Sequence, residues 1–443
     1  MNFTKIKDLL NEKQYQLLKD ELLKGQIADI AEFIDELDPK IAILVFRLLP
    51  KEIAADVFAY LSSESQWEIS TMVNEEELRN ILDDLYFDDK IDFLEEMPAS
   101  VVKRILQNTP ETERKLINQF LNYPEDSAGS LMTIEFVDLK KEMTVQEALE
   151  KIRKNAPDKE TIYTCYVTDA SRRLEGILSL RDLVINSPSK RIEEIMRRKI
   201  ISGNTLDDKE YIAELIKKYD LLAIPVTDNE QRLVGIITVD DIVDVIEEEN
   251  TEDFHKMGTV GKININLLDA SPLLLIRKRL PWLLILVFMN IFSGAGIAYF
   301  EETIQAVVAL VFFLPLLIDS AGNAGSQAAT LMIRALAVGD VKMGDWFKLI
   351  RKEAIVAVLL GLVMAVAVSV IGIFRAGTDV AVVVALSMSI VVIVGSIIGM
   401  SLPFIFSKLK MDPATASGPL ITSISDILGV IIYFSIATWY LGM

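Results

Sequence analysis

The spacing of apolar residues changes character twice along this chain. Over residues 5–125 it is helical in short bursts, broken roughly every 12 residues by Asp38-Pro39, Leu49-Pro50, Leu61-Ser62, Val73-Asn74, Met97-Pro98 and Thr109-Pro110. Proline in a first turn, or Ser or Asn as an N-cap, restarts a helix at each break. Helices this short cannot bury a face alone, so the pattern predicts a stacked α-solenoid. Over residues 127–248 the chain reads helix, strand, turn, strand, helix, twice. Tyr163-Thr164-Cys165-Tyr166-Val167-Thr168-Asp169, then Gly176-Ile177 and Asp182, is matched by Leu222-Ala223-Ile224-Pro225-Val226-Thr227-Asp228, then Gly235-Ile236 and Asp241. From about residue 281 the pattern becomes apolar on all sides. Five spans, near 281–299, 304–334, 352–374, 380–407 and 414–440, are long enough to cross a bilayer, which takes about 20 residues.

A weakly amphipathic segment joins the two halves, and Gly258 and Gly261 loosen its helix. The expected division is an acidic helical N domain at 1–126, two α/β modules at 127–186 and 187–248, a connecting helix at 249–272, and a five-helix transmembrane bundle at 273–443.

Composition sharpens this picture. The chain has 443 residues, is 51% hydrophobic and carries a formal net charge of −19, with a mean hydropathy of +0.33. Those values coexist because an acidic body precedes an apolar one. An acidic body disfavours nucleic acid and attracts cations. The single cysteine, Cys165, and the single histidine, His255, exclude an internal disulfide framework and disfavour a Cys/His zinc site. Nothing resembling a P-loop, nucleophile elbow or metalloprotease motif is present, which argues against an enzyme. The start, Met1-Asn2-Phe3-Thr4-Lys5, has no apolar core of a signal peptide, so the N-terminal body is expected in the cytoplasm. Lys and Arg lie before span one, between spans two and three, and between spans four and five. That bias puts the N-terminus inside and the C-terminus outside.

Span five carries Asp426 near its middle, where a charge costs at least ~2.5 kcal/mol. Thr422, Asp426, Gly429 and Tyr433 share one helix face. In span two Asp319, Asn323 and Gln327 form a second polar stripe, and Gly322 and Gly325 permit close backbone approach or a helix break. Every donor is oxygen or amide, which suits a hard cation such as Mg²⁺. Asp88 and Asp92 lie one turn apart on an acidic helix, a spacing more common on solvated faces than at metal sites.

Two resemblances follow from these motifs. The repeated Leu-x-Gly-Ile-[Leu/Ile]-[Ser/Thr]-x-x-Asp resembles the CBS domain, a regulatory module that occurs in pairs and often binds adenine nucleotides. Ser179, Asp182, Thr238 and Asp241 stand where such domains hold a ribose, so ATP is an expected ligand. Gly322-Asn323-x-Gly325-x-Gln327-x-Ala329-Thr330 with Arg334-Ala335-Leu336-Ala337, and Asp412-Pro413-Ala414 with Gly418-Pro419-Leu420 and Ser425-Asp426-x-x-Gly429-x-x-x-Tyr433, resemble the MgtE magnesium channels. Ala321 departs from the family, which often has a glycine there.

That resemblance implies a homodimer in the cytoplasmic membrane, with the ion path on the two-fold axis. Asp426, Asn323, Asp319 and Asp412 would then line or flank the path. It also implies regulatory Mg²⁺ held between N domain, CBS domains and connecting helix by Asp56, Asp88, Asp92, Asp208, Glu210, Asp220, Asp241, Asp244, Glu249, Glu252 and Asp253. Asp412-Pro413 equally reads as a helix cap followed by a first-turn proline. The expected function is a Mg²⁺ channel shut by internal Mg²⁺. The alternatives are a CBS-regulated transporter of another divalent cation such as Co²⁺, and a membrane-bound nucleotide-sensing regulator.

Overall fold

The computed structural model describes residues 3–263, 267 and 270–442, apart from the side chains of Glu52 and Asp158. It divides into two compact units, Met1–Ile246 and Glu247–Met443.

The first unit opens with helices α1 (Phe3–Asn11), α2 (Tyr15–Leu22), α3 (Ile27–Asp35), α4 (Pro39–Phe46), α5 (Lys51–Ala59), α6 (Ser63–Met72), α7 (Glu75–Asp84), α8 (Phe87–Glu96), α9 (Ala99–Asn108) and α10 (Glu111–Phe120). Alternate helices stack, α3 on α5 on α7 and α4 on α6 on α8, as a solenoid requires. The punctuation works largely as expected. Asn74 and Glu77 form a reciprocal capping box, Ser62 caps α6, and Pro39 sits in the first turn of α4. Pro50, Pro98 and Pro110 are instead N-cap residues, held in extended backbone just outside their helices. Edge-to-face contacts from Phe58 to Phe46 and Phe93 link successive layers of the core.

Two small sheets follow, and their repeat is exact in register. After the short helix α11 (Ala128–Leu131), β1 (Val137–Leu139) pairs in parallel with β2 (Thr164–Thr168), which pairs antiparallel with β3 (Leu174–Ser179); α12 (Val145–Asn155) links β1 to β2. Helices α13 (Leu180–Ile185) and α14 (Ile192–Ile195) then lead to β4 (Gly203–Asn204), α15 (Lys209–Tyr219), β5 (Ala223–Thr227) and β6 (Leu233–Thr238), which repeat the topology. Thr164 opposite Ser179 recurs as Ala223 opposite Thr238, and both antiparallel pairs slip register at the same point, Val167/Thr168 and Val226/Thr227. Arg172 and Gln231 occupy equivalent left-handed turn positions, with φ of 65° and 63°.

Helix α16 (Val239–Met257) is one continuous helix that ends at Gly258. The connecting helix expected at 249–272 is therefore only its last turns; residues 258–263 are not helical, and 264–266, 268 and 269 lie outside the described residues. Val260 N–H closes the end of α16 on the His255 carbonyl, and Gly261 N–H donates to the Lys278 carbonyl.

Among the described residues, five helices of the second unit are long and apolar enough to span a membrane. They are α17 (Pro272–Tyr299), α19 (Ala309–Ala337), α20 (Trp346–Ala376), α21 (Thr378–Lys408) and α22 (Gly418–Leu441), with a short α18 (Glu301–Ala306) before α19. Span one starts nine residues earlier than its apolar run, because Arg277, Lys278 and Arg279 are themselves helical. Span two starts later than expected, because the helix breaks at Val307 and Val308. It then runs unbroken through Gly322 and Gly325, so these glycines do not free carbonyls for a cavity. Gly325 lets α19 and α21 touch backbone to backbone, whereas Gly322 makes room for the Thr422 side chain of α22. A Cβ on Gly399 would fall within 1.9 Å of the Gly325 carbonyl oxygen, and one on Gly395 within 2.3 Å of the Ala321 oxygen.

That contact generates a test. Gly399→Val should overpack the α19–α21 seam and cost about 1–3 kcal/mol, read as a lower melting temperature of the detergent-solubilised protein. Gly294→Ala, which meets nothing within 4 Å, should melt like the parent.

Candidate ion sites

Three groups of carboxylates stand out, and each lies within one compact unit. The first joins the helical solenoid to the two sheets. Asp88, on α8, is 8% exposed, and its Oδ1 accepts from the Asp89 N–H at 3.1 Å. Burial pushes its carboxyl well above the usual range, and neighbouring Asp241, Asp89 and Glu160 push it further. Burial, then the charges of Asp241 and others, raises Asp89 to about 6 and Glu160 to about 7. Asp241 is also raised by burial to about 6, against the opposing pull of the Thr238 hydroxyl at 2.7 Å. Asp56 is raised by burial alone. Carboxylates a few ångströms apart repel by ~1–4 kcal/mol per pair across plausible dielectrics, so they gather only where a proton or cation compensates.

Pattern reading missed Asp89, Glu135, Glu160 and Asp240 in this group. Glu160 N–H donates to the Glu135 carbonyl at 2.9 Å, which clamps two loop acids together. Glu135 and Glu160 lie in loops, which carry no periodicity, while Asp89 and Asp240 are helical neighbours of Asp88 and Asp241 whose part in the group depends on tertiary packing.

Other expected ligands have local structural duties. Asp208 caps α15 by accepting from the Glu210 N–H at 2.8 Å, and Asp220 ends the same helix in a left-handed turn. These two sit at opposite ends of one helix, not together. Ser179 with Asp182, and Thr238 with Asp241, form matching caps at the starts of α13 and α16. Asp92 and Asp244 lie exposed on α8 and α16.

The second group is at the end of α16. Lys256 Nζ lies 2.5 Å from Asp412 Oδ2 and also bonds Glu252, while Lys262 reaches Glu252 at 3.3 Å. Asp412 caps the turn before α22, its Oδ1 accepting from the Ala414 N–H at 2.8 Å. Asp253 is raised to about 6, first by burial and then by the Asp412 charge, and Glu249 adds to it. The cap reading of Asp412 is thus realised through one oxygen, while Lys256 occupies the other.

The third group is intramembrane. Asp426 is half-buried on α22; its Oδ1 is shut from solvent and has no hydrogen-bond partner among the described residues. Asp319 is close enough for the two charges to interact. Asp319, Asn323 and Gln327 are exposed along one side of α19. The rest of the expected stripe on α22 is not open. Thr422 packs under Gly322, Gly429 faces Ile318, and buried Tyr433 donates to the Leu310 carbonyl at 2.9 Å. Positions four apart do share a face, but here that face is the α19–α22 seam. Among the described residues no three Asp, Glu, His or Cys side chains converge as a ready metal cage.

The raised acids of the first group fix a pH dependence. Folded-state values near 6–7 exceed unfolded values near 4, so their contribution favours the fold below pH 4 and is lost as pH rises through 7. Melting in chelator of the transition assigned to this unit should therefore rise as pH is lowered from 8 to 6. Asp88→Asn should raise it at pH 8 and flatten the slope; an unchanged slope would remove the crowding argument.

Comparison with known proteins follows the same division. The profile of the MgtE divalent cation transporter family matches residues 314–436, that of the MgtE intracellular N domain matches 25–126, and the CBS profile matches 128–188 and 192–248. The magnesium transporter MgtE of Thermus thermophilus is 39% identical over 437 residues, covering 98% of this chain and 97% of that protein. The one from Bacillus subtilis is 36% identical, covering 96% of each chain. A solved cytosolic domain of the Mg²⁺ channel MgtE in complex with ATP is 39% identical with a TM-score of 0.53, covering 55% of this chain and 99% of that one. The soluble part of a magnesium transporter gives a TM-score of 0.52 at 32% identity, over 56% of this chain and 97% of that one. With five membrane-length helices, a paired CBS module and relatives matched from end to end, the chain belongs to the MgtE family of divalent cation transporters, multi-pass membrane proteins that carry ions rather than catalyse reactions.

Proposed function

We propose that this chain is a Mg²⁺ channel of the cytoplasmic membrane, that it works as a homodimer, and that internal Mg²⁺ shuts it. One observation carries the pore assignment. The polar side of α19, Asp319, Asn323 and Gln327, is exposed on a membrane helix beside an Asp426 oxygen that has no partner among the described residues. Lipid cannot solvate such a face, so a second copy and the ion path must. Two copies of Asp426 across a two-fold axis supply the charge a divalent cation needs. Mg²⁺ sheds water reluctantly and can be held there through its waters. Asp412 flanks the inner end.

The pairing surface has support of its own. Val184, Ile185, Leu222, Val239, Val243 and Ile246 leave an apolar face exposed on the CBS pair, each between 37% and 68% accessible. The chain is assigned an N domain at 1–126, CBS domains at 127–186 and 187–248, a connector at 249–272 and a membrane domain at 273–443. The N-terminus is inside and the C-terminus outside.

Regulation is assigned to the two cytoplasmic acid groups. Mg²⁺ binds the arrangement in which these carboxylates are crowded and draws the population toward it. Asp56, Asp88, Asp92, Asp241 and Asp244 serve the first group, and Glu249, Glu252, Asp253 and Asp412 the second. Asp208, Glu210 and Asp220 form a further candidate set around α15. ATP is assigned to the CBS cleft near Ser179, Asp182, Thr238 and Asp241, supported by the ATP complex of the solved relative.

In liposomes, Asp426→Ala should cut Mg²⁺ influx by about tenfold or more while insertion and dimer size are kept. Parent-like flux would overturn the pore assignment, and Co²⁺ influx measured in parallel distinguishes the alternative cargo. Residues 247–261 should be cut more slowly by protease in millimolar Mg²⁺. Equal cutting with and without Mg²⁺, together with unchanged flux in an Asp88/Asp92/Glu252/Asp253→Ala variant, would overturn the gating assignment.

A further inference from the structure

Among the described residues, three contacts within the second unit fasten the end of α16 to the membrane domain. Met257 packs on the cluster of Ile333, Ala414 and Ala416. Gly261 N–H donates to the Lys278 carbonyl at 3.0 Å. Lys256 Nζ bridges Glu252, one turn back on its own helix, and Asp412, 156 residues away in the turn that starts α22. The first two contacts would survive loss of any charge. The third is electrostatic and puts an ammonium where carboxylates from two separate elements meet.

We propose that Lys256 fills this seat as a tethered cation, latching the end of α16 to the start of α22 without any bound metal. A cation is needed there. Glu252, Asp253 and Asp412 are all only partly exposed, Glu249 adds a fourth negative charge nearby, and Lys262 offsets Glu252 without bridging to Asp412 among the described residues. Without a positive charge the α16 acids would repel Asp412. A lysine stem long enough to span the gap, anchored by Met257 beside it, places that charge at almost no loss of translational freedom. A divalent cation must bind from solution, whereas Lys256 is always present. The latch therefore gives the junction a basal closed arrangement, to which soluble metal adds. Asp412 is well placed to transmit it, since its other oxygen caps the turn leading into the helix that carries Asp426. The latch concerns this junction alone; only its effect on ion flux rests on the channel reading.

The test is chymotryptic cleavage after Phe254, a side chain 73% exposed on α16. Cutting requires the last turns of α16 to open, so its rate reports the latch directly and not transport. Full-length protein in detergent and chelator is compared with Lys256→Gln, Lys256→Arg, Asp412→Asn and the Lys256→Gln/Asp412→Asn double variant. Asparagine keeps the acceptor that caps the turn. Both single neutralisations should speed cleavage about fivefold, the upper size for a partly exposed ion pair. The double variant should be no faster than the faster single, and Lys256→Arg should match the parent. Millimolar Mg²⁺ should slow Lys256→Gln back toward the parent rate by entering the vacated seat. The proposal is overturned if Lys256→Gln cleaves within about twofold of the parent. It is also overturned if the two single effects multiply, or if Mg²⁺ leaves Lys256→Gln unchanged. Asp412→Asn probes the same bond from its other side, so misfolding of one lysine variant does not leave the question open.

Discussion

A carboxylate held away from bulk water must have a proton, a fixed cation or a mobile cation close by, and most of this structure can be read from how that need is met. Where the solenoid meets the CBS pair, Asp88, Asp89, Glu160 and Asp241 raise one another's proton affinity. At the end of α16 a lysine supplies the charge. In the membrane the Oδ1 of Asp426 is shut from solvent with no hydrogen-bond partner among the described residues, and Asp319 is exposed on α19. Repulsion alone would disperse these acids. The fold instead keeps them together.

The scaffold that enforces this crowding is rigid in different ways. The solenoid is held by stacked helices whose starts are fixed by caps such as the Asn74–Glu77 box. The CBS pair repeats one register down to the bulge. In the membrane, Gly325, Gly395 and Gly399 bring α19 and α21 into backbone contact, which fixes α19 and hence its polar side. Tyr433 then ties α22 to the first turn of α19.

Much of this was legible in the sequence. Period and punctuation located the solenoid helices, because proline and capping residues act locally. The CBS repeat was legible because both copies keep the same glycine and aspartate offsets. Span number followed from hydropathy, and Asp426 was conspicuous as the one acid in its span. The misreadings have a common physical origin. Helical spacing says which residues share a face but not what that face meets, so Tyr433 was placed with Asp426 on an open path when it is buried. Gly322 and Gly325 were read as a possible helix break, whereas the Thr422 side chain and the Gly395 backbone fill the space they leave. Glu135, Glu160 and Asp89 joined the acid cluster through tertiary packing, and Lys256 met Asp412 across 156 residues, a distance no local pattern spans.

The central claim is that Asp426 serves a path shared by two copies of the chain. It is tested most directly with mixed dimers, built from one parent and one Asp426→Asn chain carrying different affinity tags and purified through both. If the two carboxylates act on one ion, a single neutralisation should remove most Mg²⁺ influx into liposomes, leaving less than about a quarter of the parent rate. Retention of half the parent rate, as expected if each chain conducts through its own path, would contradict the account.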